Sequence, residues 1–406
     1  MKKTFLNLCL LVCIALFGVA CSNSTKLTGN EFLIEGKISG VEDGVVITLS
    51  RFDDTGVGSR IASDTIRNGR FLFKGKVESD KERFGIRPMS DGFPSMSLYV
   101  WAAPQAKIKI IGTGKLHPAW EVKSSVAYQK EENRYINKIR DVIAEQARIV
   151  VESSDLMAKI RAAASEDEVI AYRKISDSLD IILGSLFLKQ LYSDIAIMEK
   201  TDVTPVWFDK IRNLASAVRY YEYYYIDIEQ VDYLRKKAEE QYSRMSEEDR
   251  NSPAGYPITA NIFPPDVVAV GDDFADTDLL DINGNTKRLA DYLDRYLLLD
   301  FWSRGCGPCI MALPEMKEIS ETYRDKLTII SISLDTETGW KDAMVAHDMP
   351  WVNLRDPKSM GGLAATYGVT GIPNYVMISP EGKIIDKWMG YGTGFLKRKV
   401  RENVGF

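Results

Sequence analysis

The chain has 406 residues, 45% of them hydrophobic and 27% charged, which excludes a collagen-like, wholly disordered or multi-spanning membrane protein and leaves room for two or three domains. Its 52 basic against 57 acidic residues, a net charge of -5, leave no basic excess for a nucleic-acid partner. The two histidines, His117 and His347, are too few for a multi-histidine metal site, and a Ser-His-Asp centre would have to use one of them.

Met1-Lys2-Lys3-Thr4 carries two positive charges, and an apolar run follows from Phe5 to Ala20, interrupted by Asn7. That run is shorter than the ~20 residues a membrane-spanning helix needs and reads as the apolar region of a secretory signal. Gly18-Val19-Ala20-Cys21 resembles a bacterial lipobox. The resemblance implies cleavage after residue 20, a diacylglyceryl group on Cys21, and residues 21–29 as a tether. A plain signal peptide or an uncleaved anchor is the alternative. Of the five cysteines, Cys9 and Cys13 would then leave with the signal, Cys21 would be lipidated, and Cys306 and Cys309 would remain as thiols. In the oxidising compartment that an export signal implies, such a pair is either a structural disulfide or a redox couple.

Residues 30–118 read as an all-β domain. Glu31–Ser39 alternates in part, and Val45–Leu49 is a β-branched run after a Glu-Asp-Gly turn. Asn68-Gly69 between apolar flanks predicts a hairpin over Ile66–Phe73. Leu98–Trp101 and Ile108–Ile111 add two strands, and the spacing points to a β-sandwich or small barrel. Residues 119–250 read as a helical region, with no proline between Pro118 and Pro205. Within it Arg219-Tyr220-Tyr221-Glu222-Tyr223-Tyr224-Tyr225 has two readings: aromatic packing between helices, or a sticky face for a peptide. Residues 251–266 contain Pro253, Gly255, Pro257, Pro264 and Pro265 and read as a linker.

Residues 267–406 read as an α/β domain with a sheet of mixed direction. Tyr296–Trp302 is a buried-type strand broken only by Asp300, followed by a Gly/Pro/Cys turn and a helix from Cys309 to Tyr323. Leu327–Leu334 is a second buried-type strand, with a helix around Trp340 to His347. Tyr375–Ile378 and Lys383–Trp388 flank a Pro-Glu-Gly turn and should pair antiparallel.

Cys306-Gly307-Pro308-Cys309 sits between that first strand and its helix. A zinc site wants four ligands, and no second C-x-x-C exists. A structural disulfide across so short a loop would stabilise little. Redox chemistry fits the placement best. The unpaired N–H groups and positive dipole end of a helix start favour an anion, so a cysteine there has a lowered pKa and a more abundant thiolate. Pro308 suits a first helical turn, where its missing N–H loses no bond, and Gly307 with Pro308 fixes the spacing of the sulfurs.

Leu299–Cys309 resembles the active-site segment of thioredoxins, and residues 267–406 resemble the exported TlpA/ResA branch, related to the alkyl hydroperoxide reductase/thiol-specific antioxidant (AhpC/TSA) family. The likeness includes the Asp281-Ile282-Asn283-Gly284 hairpin, Gly371-Ile372-Pro373 and the Pro380-Glu381-Gly382 turn. Residues 30–118 resemble an uncharacterised β-rich domain found ahead of such modules. The resemblance implies a multidomain chain ending in a thioredoxin-like fold and a thiol–disulfide oxidoreductase that reduces client disulfides without a cofactor. Cys306 would be the nucleophile, Cys309 the resolving thiol and Asp300 the carboxylate that takes a proton from it. Pro373 would be a cis proline beside the sulfurs, with Ile372 pairing to an extended client and Trp302 packing nearby. Implied partners are disulfide-containing proteins, a membrane electron donor of the DsbD/CcdA kind, and the membrane itself through Cys21, on the periplasmic side of a bacterial envelope. This sequence departs from the pattern at Gly305, usually Trp; at Ala312, usually Glu; and at Asn374, usually Thr. Two alternatives remain: a binding lipoprotein with an accessory thioredoxin module, and a thiol peroxidase, whose motif would be half absent at Ser303 and Leu299.

Overall fold

The computed structural model describes residues 26–53, 56, 58–79 and 82–405. The signal segment, with Cys9, Cys13 and Cys21, lies outside them. The front of the chain forms β1 (Glu31–Ser39), β2 (Val46–Phe52), β3 (Gly58–Thr65), β4 (Arg70–Lys76), β5 (Glu82–Pro88), β6 (Leu98–Ala102), β7 (Lys107–Thr113) and β8 (Glu121–Lys123). These make two four-stranded sheets, ordered β4-β1-β7-β8 and β3-β2-β5-β6. Alternate residues of facing strands meet inside, as where the Phe32 and Phe84 rings lie 4.9 Å apart. The Asn68-Gly69 turn forms, with both residues at positive φ (50° and 65°) as a two-residue hairpin loop requires. Arg67 and Arg70 bridge across it, but β3 and β4 then diverge into different sheets. The turn therefore joins the two layers at a corner rather than closing a local pair.

Seven helices follow: α1 (Ala127–Lys138), α2 (Arg140–Ala162), α3 (Glu166–Met198), α4 (Pro205–Arg219), α5 (Ile228–Tyr242), α6 (Glu247–Arg250) and α7 (Gly255–Ile262). Ser165 and Thr204 cap α3 and α4 by accepting from the Glu168 and Trp207 amides. Tyr135, Leu191, Trp207, Leu214 and Val231 enter the same apolar core as the strands, so sheets and helices share one core. At its outer end α3 packs on α2 through Ile149, Leu156, Leu179 and Leu186. By length and composition, α3 alone among the described residues would suit a membrane span, and Ile170, Ile175, Ile181 and Ile182 on it are exposed. The stretch read as a linker carries α7, with Pro257 in its first turn. It touches the last unit, where the Lys358 ammonium lies 5.6 Å from the Tyr256 ring centre.

The last unit adds β9 (Leu279–Leu280), β10 (Thr286–Lys287), β11 (Tyr296–Trp302), α8 (Gly307–Thr322), β12 (Leu327–Ser333), α9 (Glu337–Ala346), β13 (Val352–Arg355), α10 (Leu363–Thr366), β14 (Asn374–Ile378), β15 (Ile384–Met389) and α11 (Phe395–Val404). The sheet order is β10-β9-β13-β12-β11-β14-β15, with β11, β12 and β13 parallel and β14 and β15 antiparallel. It is the mixed α/β sheet that the alternation of strands and helices predicts. The central strand β11 is buried on both faces, hence its unbroken apolar run. Leu297, Leu299 and Phe301 face one core. Leu298 faces α8 and α11 with Ala312, Met316 and Leu396, and the period of two puts Asp300 and Trp302 on that same side.

Candidate active site

β11 ends at Trp302, and four residues later Cys306 caps α8. Cys306 and Cys309 form a disulfide. The Cys309 amide donates to the Cys306 sulfur at 3.2 Å, so an N–H in the first turn of the helix points at the atom that would carry a thiolate. Gly307 and Pro308 occupy the first two helical positions and are exposed. The two sulfurs differ in access: Cys309 is 3% exposed, while Cys306 is only partly covered. A partner can reach Cys306 and not Cys309. Trp302, Cys309, Trp340, Ala343 and Met349 form one apolar cluster, on which Cys306, Trp351 and Ile372 pack. The Ile372–Pro373 peptide bond is cis, and the Gly390 amide donates to the Pro373 carbonyl at 2.8 Å. The amides of Thr370, Gly371 and Ile372 have no hydrogen-bond partner among the described residues.

Asp300 is 2% exposed. Its register partners are Ser331 on β12 and Tyr375 on β14. The Ser331 hydroxyl donates to Asp300 Oδ2 at 2.7 Å and accepts from Trp351 Nε1 at 2.9 Å. Burial pushes the Asp300 carboxyl up to about 7, with the Ser331 hydrogen bond pulling partly the other way. A carboxyl titrating there can accept or return a proton near neutral pH. Cys306, Cys309, Trp302 and Ile372 are thus brought into one cluster, with Pro373 adjoining Ile372 and Asp300 on the strand face that α8 covers.

Sequence reasoning missed the groups that hold the loop. Asp335, 1% exposed, accepts from the Ser303 hydroxyl at 2.7 Å, the Arg304 amide at 2.8 Å and the Ser333 hydroxyl at 3.2 Å. The Cys306 amide in turn donates to the Ser303 carbonyl at 3.0 Å. The available signal was two serines, Ser331 and Ser333, interrupting an aliphatic strand: each serves a carboxylate on or beside it. The Ser303 hydroxyl is committed to Asp335, so it does not serve the sulfur as a peroxidase motif would require. The front unit reaches the site's lip through Arg304, 3.7 Å from Asp53. Glu315, in α8, is engaged by Tyr391 and by the amides that open α11, at 2.8 to 3.1 Å, a structural duty.

The stretch that holds these residues resembles known proteins in sequence. The AhpC/TSA family model matches residues 270–387, which include both cysteines, Asp300 and Pro373. The thiol-disulfide oxidoreductase ResA of Bacillus thuringiensis is 30% identical over 115 residues, covering 28% of this chain and 65% of that protein. The thioredoxin-like protein YneN of Bacillus subtilis is 27% identical over 127 residues, 30% of this chain and 73% of that protein. Among solved structures, the thioredoxin domain of a thiol-disulfide oxidoreductase from Bacteroides vulgatus is 27% identical, covering 34% of this chain and 99% of that one, with a TM-score of 0.32.

Proposed function

We propose that the protein is a thiol–disulfide oxidoreductase of the cell envelope that reduces client disulfides through Cys306 and Cys309. The observation that carries this reading is the disulfide at the start of α8, one sulfur reachable and capping the helix, the other buried. In the reduced protein the Cys306 thiolate attacks one sulfur of a client disulfide. The client S–S bond breaks, a mixed disulfide forms, and one client thiolate leaves and takes a proton. Cys309 passes its proton to Asp300 and attacks the Cys306 sulfur, expelling the second client thiolate. The client gains two electrons and two protons, and the protein ends as the disulfide. A dithiol donor must then reduce it again; a membrane protein of the DsbD/CcdA kind would fill that role. Lipidation at Cys21 would hold the chain on the periplasmic side of the membrane. Support comes from the family likeness over residues 270–387 and from the carboxyl of Asp300, which titrates near neutrality.

Trapping tests the reading. Cys309→Ser should accumulate mixed disulfides on Cys306 that reductant releases, whereas Cys306→Ser should trap none. Equal trapping by both variants, or by neither, contradicts the mechanism. A binding lipoprotein would keep its cellular role when both cysteines become serine; the oxidoreductase would lose it.

A further inference from the structure

The tyrosine-rich turn between α4 and α5 splits into two sets. Tyr221 and Tyr224 pack against the front core. The Tyr224 ring stacks on Phe187 of α3 at 4.6 Å, and its hydroxyl lies 3.2 Å from that of Ser216. The turn is braced: the Ile226 amide donates to the Tyr221 carbonyl at 3.0 Å. The Tyr224 carbonyl lies so close to Gly184 that a Cβ there would sit 2.2 Å from it. Tyr223 does the opposite, being 79% exposed and lying edge-on to Tyr224 at 5.3 Å. Packing explains Tyr221 and Tyr224; it does not explain Tyr223.

Opposite this turn lies the cis-proline segment. Ser216, Arg219 and Tyr220–Tyr224 line one wall of a groove of about 700 Å³, and Thr370, Gly371 and Met389 line the other. Met389, at the end of β15, is 60% exposed. Thr370 and Gly371 run directly into Ile372 and Pro373, with their amides unpaired among the described residues. The groove is therefore continuous with the backbone edge beside the disulfide. The active-site loop contributes no aromatic wall of its own, because Gly305 stands exposed before Cys306.

We infer that this groove is a client subsite, resting on the proposed exchange at Cys306–Cys309. Its occupant is an extended segment of a client polypeptide that pairs with the free amides of 370–372. An aromatic or large aliphatic side chain near the client cysteine sits between Tyr223 and Met389. Ring faces and a thioether suit such a side chain, and Arg219 and Glu222 stand at the rim. The helical region thereby selects which disulfides the last unit reduces.

The test compares two synthetic disulfide peptides of equal length, one with Phe and Leu flanking the cysteine and one with Gly and Ser. The full chain is reduced beforehand, and the second-order rate constant of its single-turnover reaction with each peptide is measured. The parent should favour the apolar peptide by about tenfold or more, a difference of about 1.4 kcal/mol. Tyr223→Ala with Met389→Ala should collapse that ratio toward one, and Tyr223→Phe should retain it. Both side chains are exposed, so an unchanged melting temperature is expected of the variants. A parent without preference, or a ratio the double variant leaves intact, overturns the subsite while the exchange reading stands. Failure of the parent to reduce either peptide overturns both. A dimer in solution that the double variant dissociates would make a second copy of the chain the occupant, and overturns it too.

Discussion

Asp300→Asn tests whether this carboxyl accepts a proton during the proposed exchange or is merely structural. Burial raises it from its ordinary 3.8 to about 7, so the folded chain holds a proton that the unfolded chain releases near pH 4. Between those values the folded state binds more protons, and stability falls as pH rises through the window. Below it the carboxyl is neutral in both states and costs nothing. Above about pH 7 it is charged in both, and the full difference applies, on the order of 4 kcal/mol at 1.36 kcal/mol per pH unit. Asparagine keeps an acceptor for the Ser331 hydroxyl and carries no charge. The variant should therefore be more stable than the parent by several kcal/mol at pH 8, with the gain shrinking toward pH 4. Urea midpoints across that range read this directly. In single-turnover kinetics the variant should lose the pH dependence of the resolving step near 7 and slow it about 100-fold, the usual loss of a positioned base. A stability gap that is flat with pH, or a variant weaker than the parent at pH 8, would refute the reasoning.

Three further substitutions probe the frame. Asp335→Asn weakens the acceptor for the Ser303 hydroxyl and the Arg304 amide; it should lower stability by about 2 kcal/mol and change the alkylation rate of reduced Cys306, and an unaltered rate would deny that Asp335 sets the loop. Lys210→Met removes the cation that Glu132 meets at 2.8 Å and that also faces the buried Asp194 and should cost about 3–5 kcal/mol; Lys210→Met with Glu132→Leu should recover the share due to Glu132 in thermal unfolding, and a double variant as weak as the single would show that this pair is not the cause. Gly184→Ala would gain about 1 kcal/mol from helix propensity alone, but its Cβ meets the Tyr224 carbonyl at 2.2 Å, so urea unfolding should show net destabilisation; a stabilised variant would mean that the tyrosine turn gives way freely.

What could be read from the sequence follows from where the information sits. β11 and β12 announce themselves because burial reaches nearly every residue in them, and Tyr296–Trp302 has apolar side chains toward both faces; β1 shows instead the partial alternation of a strand with one buried face. The Cys pair was legible because the strand before it and the helix after it are both strongly patterned. β3 was not, since Gly-Ser-Arg-Ile-Ala-Ser-Asp-Thr is a sheet edge with no side chain fully buried. β5 contains Gly85 and Pro88, which argue against a strand, yet it lies between β2 and β6 and pairs with both. The Asn68-Gly69 turn is local and legible; which sheets its arms join depends on contacts far along the chain. Pro257 read as a linker signal, but in the first turn of α7 its missing N–H has no helical partner to lose. Asp335, 32 residues beyond Ser303 in sequence, is placed beside it by the crossover from β11 to β12. The composition of Arg219–Tyr225 could not say which rings pack and which stay free; that is fixed by the close approach of α3 at Gly184.

The central claim, a reductant working through Cys306 and Cys309, rests on the poise of that couple. The measurement that tests it most directly is the reduction potential of the purified protein, equilibrated against defined thiol/disulfide buffers and read by thiol trapping. A reductant should show a value near the roughly -270 mV of thioredoxin or below it. A value near the roughly -120 mV of strong disulfide donors, or a pair that exchanges with no buffer, would contradict it.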